Sequence, residues 1–165
     1  MTLKPQRARH FEREYGSVDY KGAVVLDIGA DYGCSPEFFL SRGAKHVIAS
    51  EVNQEWRRDL IAWAQGRPVT VIDGLDTSNA RDVFEQYQPE VVKCDCEGCE
   101  CVLLTLPDEV MAGPRAWVLE THTIPLYRDL RALFGRLGYR LTMIQDFGDK
   151  PNKSGKVCKI WKAER

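Results

Sequence analysis

Short apolar runs alternate with longer amphipathic stretches along most of this chain. VVLDIGA (Val24 to Ala30) is almost continuously apolar and ends at a glycine-rich turn, as a central parallel strand buried on both faces would read. HVIASEV (His46 to Val52), VTVIDGL (Val69 to Leu75), VVKCDCEG (Val91 to Gly98) and AWVLETHT (Ala116 to Thr123) repeat the pattern. Helical stretches lie between them. Ser35 is placed to cap the first, with Pro36 at its opening position, Glu37 at its positive end and Gly43 as its stop. Asn53 caps the second, whose Trp56, Leu60 and Trp63 recur at helical spacing before Gly66. Asn79 to Tyr87 carries Val83, Phe84 and Tyr87 on one face, and a short helix runs from about Cys99 into Pro107. Pro125 opens the last, with Leu126, Leu130, Leu133, Phe134 and Leu137 on its apolar side and Gly138 at its end.

Beyond Gly138 the rhythm changes. YRLTMIQDF (Tyr139 to Phe147) and KVCKIWKAE (Lys156 to Glu164) are separated only by GDKPNKSG, too short for a helix, so the two strands are expected to form an antiparallel hairpin. Five β-α units followed by a hairpin predict a single α/β domain: a mostly parallel, doubly wound, Rossmann-like sheet with helices on both faces. Residues 20–165 are assigned to that domain and 1–19 to an N-terminal extension. Ligands of such sheets bind at the carboxyl ends of the strands, near the switch in strand order. That directs attention to Asp27 to Gly33, Glu51, Asp73, Asp95 to Gly98 and Glu120 to His122.

Composition narrows the picture. The 165 residues suit one domain, and 44% hydrophobic with 28% charged residues is ordinary for a globular protein. A net charge of −1 gives no basic field for nucleic acid, so a nucleic-acid partner is not expected. The local cluster Lys4, Arg7, Arg9, His10 and Arg13 is interrupted by Glu12 and Glu14 and reads as a solvated, frayed end rather than a binding arm. No apolar run approaches a membrane span and no signal-peptide layout opens the chain, so a cytoplasmic location is expected, with the six cysteines as thiols or metal ligands rather than disulfides.

DIGADYG (Asp27 to Gly33) is not the dinucleotide fingerprint, because a carboxylate stands where that motif has its first glycine. A carboxylate repels phosphate but suits a cationic ligand such as S-adenosylmethionine, with its ammonium and sulfonium. Glu51, about 20 residues after the loop begins, has the spacing of an acid that accepts hydrogen bonds from ribose hydroxyls. Asp73, on the third strand, is placed to reach an adenine edge.

These residues resemble a known family. VVLDIGADYG resembles the first motif of class I S-adenosylmethionine-dependent methyltransferases. With VVKCDCEGCECVLL and WVLETH, the chain resembles the FkbM-type branch, marked by lysine–x–aspartate–x–glutamate–glycine–x–glutamate (here Lys93, Asp95, Glu97, Gly98, Glu100) and glutamate–x–histidine (Glu120, His122). The resemblance implies a seven-stranded sheet with its last strand inserted antiparallel. It also implies cofactor contacts from Asp27, Gly29, Gly33 and Glu51, and methyl transfer, usually to a hydroxyl oxygen, near Asp95 and Glu97. Ala30, Asp73 and Asp95 are further candidate cofactor contacts, and a small molecule or sugar is the expected acceptor. Asp95 is the first candidate base and Glu97 the second; His122 is a base or acceptor contact, and Glu120 orients Lys93 or His122, or joins Asp95 and Glu97 around a divalent cation. Two departures stand out. Asp31 replaces the usual asparagine, and the segments that often cover the acceptor are missing. The acceptor pocket is therefore expected to be open, shared with a partner subunit or homodimer mate, or lost; a non-catalytic subunit or cofactor sensor is the alternative reading.

Cys94, Cys96, Cys99 and Cys101 crowd into eight residues. A zinc site takes four ligands that converge on one ion, usually from two separated knuckles, which one strand and turn cannot easily supply. Buried cysteine otherwise behaves as a small hydrophobe, and packing is the preferred reading for these four and for Cys34 and Cys158. Trp56, Trp63 and Phe134 are assigned to core packing.

Overall fold

A computed structural model describes residues 5–148 and 157–165. Apart from Gly148, the expected turn GDKPNKSG lies outside the described residues, as does Lys4. Five strands run parallel in the order β3 (Val69–Ile72), β2 (His46–Ser50), β1 (Val24–Ile28), β4 (Val91–Cys94), β5 (Ala116–Thr121). The sheet is completed by β7 (Lys159–Glu164), antiparallel between β5 and β6 (Arg140–Asp146). The seven strands and the antiparallel hairpin agree with the expectation.

The two faces follow from residue parity. Val25, Val47, Val91, Val118 and Ile160 point to one side, where Tyr15, Phe38 and Phe39 cover them; Ala49 meets Leu60 there. These come from α1 (Pro5–Tyr15), α2 (Cys34–Ser41) and α3 (Gln54–Ala64). Leu26, Ile48, Val92, Trp117, Leu119 and Trp161 point to the other side. There they meet α4 (Ala80–Tyr87), a 3-10 helix (Cys99–Thr105), α5 (Asp108–Met111) and α6 (Ile124–Arg136). Trp117, fully buried, stacks on Phe84 and takes the edge of Phe134. No helix among the described residues is long and apolar enough to cross a membrane.

Asn53 caps α3 as expected, its side chain accepting from the amides of Glu55 and Trp56, and Thr123 caps α6 through the Leu126 amide. Two local expectations are corrected. Gly33, not Ser35, is the N-cap of α2, because the chain turns there at φ 100°, leaving Ser35 inside the helix with its hydroxyl turned to the sheet. The segment set aside as an extension also proves to be structured. Residues 5–15 form α1, and Tyr15 is buried against Phe39 while Phe11 packs against Phe38. Its apolar side is only a few residues wide and is flanked by charges, which is why composition alone read it as frayed.

Candidate functional site

From β1 the chain winds outward to β3, then crosses back to lay β4 on the other side of β1. The crevice this leaves opens at the carboxyl ends of β1 and β4. The carboxyl ends of these two strands are tied together through charge. Parallel register places Asp27 beside Lys93, and the Lys93 ammonium lies 3.0 Å from the Asp27 carboxylate. The same ammonium donates to the carbonyl oxygens of Gly29 at 2.6 Å and Ile28 at 3.2 Å, so one lysine holds the end of β1 and its loop. Burial works against the Lys93 charge, but Asp27 and Asp95 outweigh it and hold the ammonium above its ordinary range.

Asp27, expected to contact the cofactor, does not line the cleft. It is wholly buried, and its other oxygen accepts from the Ser35 hydroxyl at 2.6 Å, which pins α2 to β1. Ala30 is likewise buried in the core, against Leu60. Gly33 lies against the Trp63 ring, where a Cβ would come within 2.7 Å of it. Asp73 points away from the crevice to an ion pair with Arg57, because its carboxylate lies on the outer, exposed side of the turn after β3. None of these four lines the cleft.

The cleft itself has a volume of about 330 Å³. Gly29 forms its floor, and only glycine fits there: a Cβ would stand 1.9 Å from the Asp95 carbonyl oxygen, at φ +84°. Glu51 stands at one wall, nearly buried, with one oxygen accepting from the Asp31 amide at 2.9 Å and the other from the Asn53 amide at 2.8 Å. Each oxygen keeps a further lone pair. Trp56, expected in the core, is instead 37% exposed and lines the cleft with its ring 5.1 Å from that of Tyr32. It sits in the first turn of α3, one turn before the helix meets the sheet at Leu60. Val52, Gly74 and Leu75 complete this apolar end. Asp95, Cys96, Glu97 and Cys99 form the opposite end.

Beyond Asp95 the predicted catalytic residues do converge. One Asp95 oxygen accepts from the Tyr15 hydroxyl of α1 at 3.2 Å, and the other faces His122 Nε2 at 4.0 Å. Glu97 and Glu120 each place an oxygen 3.6 Å from the same nitrogen. The opposite ring nitrogen, Nδ1, lies 2.9 Å from Glu100, a residue to which the sequence reading gave no role in the site. Glu100 is wholly buried and also accepts from the amides of Cys96 and Gly98, so it fixes both the turn after β4 and the imidazole just beyond β5. Its place at the end of the lysine–aspartate–glutamate string was the available signal. Burial opposes the His122 proton, but Glu100 outweighs it and raises the imidazole above its usual range. Burial, and then Asp95, push the Glu120 carboxyl up to about 7.

Glu14 of α1 also faces this acidic pocket, and burial pushes it up to about 7 against the pull of Arg13. A raised acid favours the fold most where it is protonated in both states. The contribution is full below pH 4.5 and is lost as pH rises through about 7. Melting curves from pH 4.5 to 8 are expected to show Glu14→Gln gaining stability over wild type as pH rises; a constant difference across that range would contradict this account of Glu14.

The cysteines part company. Cys94 is core packing, as expected. Cys96 and Cys99 form a disulfide on the cleft wall, a correction to the expectation of thiols: the turn at Glu97 and Gly98, both with positive φ, folds the chain back and brings the two side chains together. Among the described residues, Cys34, Cys94, Cys101 and Cys158 take part in no disulfide. A larger depression of about 580 Å³ lies elsewhere, lined by Phe84, Glu90, Pro114 and Arg115. It sits at the amino ends of β4 and β5, away from the switch point and from every residue of the converging cluster, so the site is assigned to the smaller cleft.

No family model matches the chain. It is 31% identical over 93 residues to "Uncharacterized protein 65" of Sulfolobus islandicus filamentous virus (isolate Iceland/Hveragerdi), covering 56% of each chain. It is 29% identical over 92 residues to "Uncharacterized protein 158B" of Sulfolobus islandicus rod-shaped virus 1, covering 56% of this chain and 58% of that one. The match thus spans little more than half the length of these curated relatives. Among solved structures, precorrin-6y C5,15-methyltransferase from Geobacter metallireducens superposes with a TM-score of 0.66 at 18% identity, over 100% of this chain and 90% of that one. Aeropyrum pernix fibrillarin, solved with natively bound S-adenosyl-L-methionine, gives 0.63 at 12% identity over 95% and 75%. The fold is the Rossmann-like fold of class I S-adenosylmethionine-dependent methyltransferases.

Proposed function

We propose that this protein is an S-adenosylmethionine-dependent methyltransferase of FkbM type that methylates a hydroxyl oxygen of a small molecule or sugar. The observation that carries the reading is the cleft at the strand-order switch, with Glu51 at one end and the Asp95–His122 cluster at the other. The side chains present fit the cofactor. Glu51 keeps lone pairs for ribose hydroxyls, the exposed face of Trp56 with Val52 and Leu75 suits a nucleobase, and the acidic end suits a cationic amino acid and sulfonium.

When bound, the cofactor supplies a methyl group already activated by positive sulfur. The chain's own work is alignment and proton removal. Gly29 lets the loop after β1 close on the backbone of Asp95, which fixes the cleft floor against the acidic end. Asp95 stands at the boundary between cleft and acidic pocket, and one oxygen is held by the Tyr15 hydroxyl. Its other oxygen is the first acceptor for the hydroxyl proton, with Glu120 and Glu97 behind it. The bond from Tyr15 supports a role for α1 in covering the acidic pocket.

Calorimetric titration with S-adenosylhomocysteine tests the proposal. One equivalent is expected to bind, and Glu51→Gln is expected to weaken it about 10–100-fold, the loss of hydrogen bonds to a charged group. Folded wild-type protein that takes up none would remove the reading.

A further inference from the structure

The cluster around His122 is poorly balanced in charge. Asp95, Glu97, Glu100 and Glu120 surround one imidazole, and Lys93 is committed to Asp27 and the β1 carbonyls. One ligand atom each of Asp95, Glu100 and His122 lies within 4.8 Å of the other two. A second observation is independent of that proximity. Glu100 is 0% exposed, yet among the described residues its Oε2 has no hydrogen-bond partner, while its Oε1 lies against the His122 ring. A buried carboxylate oxygen left without a donor beside a ligand set keeps its lone pairs for a ligand.

We propose that Asp95, Glu100 and His122 form a divalent-cation site beside the acceptor, with Glu97 and Glu120 within reach to complete the coordination. Three atoms no more than 4.8 Å apart leave a central ion within about 2.8 Å of each, so a contraction of well under 1 Å at each ligand gives the usual metal–ligand distance of about 2.0–2.2 Å. The mixture of carboxylate oxygens and one imidazole nitrogen suits manganese or a similar first-row ion better than calcium. The exposed Glu97 and the half-buried Glu120 come from the turn after β4 and from β5. An ion here would face the acceptor side of Asp95, where it could hold an acceptor oxygen. The site's role in catalysis rests on the proposed methyltransferase reading; its existence as a metal site does not.

The probe is Mn²⁺, followed by electron paramagnetic resonance and calorimetry on the whole protein. One equivalent is expected to bind to wild type, and His122→Ala and Glu100→Gln are each expected to weaken it at least tenfold. Asp95→Asn is the milder variant should either fail to fold, with the same expectation. Folded wild type that binds no Mn²⁺ overturns the site, as does affinity unchanged in these variants. So does loss of binding on Cys99→Ser alone, which would place the ion on sulfur. Titration with S-adenosylhomocysteine in metal-free buffer is run in parallel: a protein that takes up the cofactor but no Mn²⁺ in its own titration sinks the cation site alone, and one that takes up Mn²⁺ but no cofactor sinks the methyltransferase reading alone.

Discussion

Lys93→Met is expected to cost about 3–5 kcal/mol, because it strands the Asp27 carboxylate in the centre of the sheet with a hydroxyl as its only remaining side-chain donor. Domains of this kind are stable by about 5–15 kcal/mol, so the variant should sit near the edge of unfolding. Denaturant titration reads the loss directly. The sharper test is the double variant. Asp27→Asn with Lys93→Met removes both charges, keeps an acceptor for Ser35, and should recover most of the stability, since breaking one half of a buried pair costs more than removing both. A double variant as unstable as the sum of the singles would show that the pair is not the source of the effect.

Gly29→Ala is the second change with a large expected effect. The new methyl would meet the Asp95 carbonyl oxygen at 1.9 Å and its carbon at 2.9 Å, both backbone atoms of the neighbouring strand end that no rotamer change can move. The positive φ adds strain of about 1–2 kcal/mol. The β1 loop and the end of β4 must separate, which opens the cleft floor. Stability is expected to fall by about 2–4 kcal/mol from overpacking and strain together, and S-adenosylhomocysteine binding to fall at least a hundredfold. Gly22→Ala is the control: it shares the positive φ, at 72°, but its Cβ would meet nothing within 4 Å. It should lose only the strain and keep the binding. Equal losses in both variants would assign the effect to backbone conformation instead of the close approach.

The order of elements was legible in the sequence because buried parallel strands are written as β-branched runs, and their helices carry caps such as Asn53 and Gly138. The site was legible in part. Asp95, Glu97, Glu120 and His122 were found and do converge, because they lie at or just beyond the ends of two adjacent strands. Asp27, expected at the cofactor, is buried against Lys93 instead of lining the cleft. A charge within VVLDI, and another within VVKC, could have been recognised as partners, since central strands buried on both faces tolerate ions only in pairs. Trp56 was misread for a geometric reason: its spacing with Leu60 matches a buried stripe, but the helix starts beyond the sheet edge and leaves its first turn over the cleft. The Cys96–Cys99 bridge was hidden by an argument from cellular compartment; the positive-φ turn at Glu97 and Gly98 that brings the two side chains together emerges only in the folded chain.

The placement of β7 bears on the time course of folding. In the finished sheet Lys159–Glu164 fills the slot between β5 and β6, although both precede it in the chain. Until it arrives, the Ala116–Thr121 edge has no hydrogen-bonding neighbour on that side, and β6 has no strand beside it. During synthesis the nascent chain must therefore carry an open, apolar strand edge until Lys159–Glu164 has emerged, which makes this edge a point of exposure to mispairing and to chaperone capture before the sheet closes.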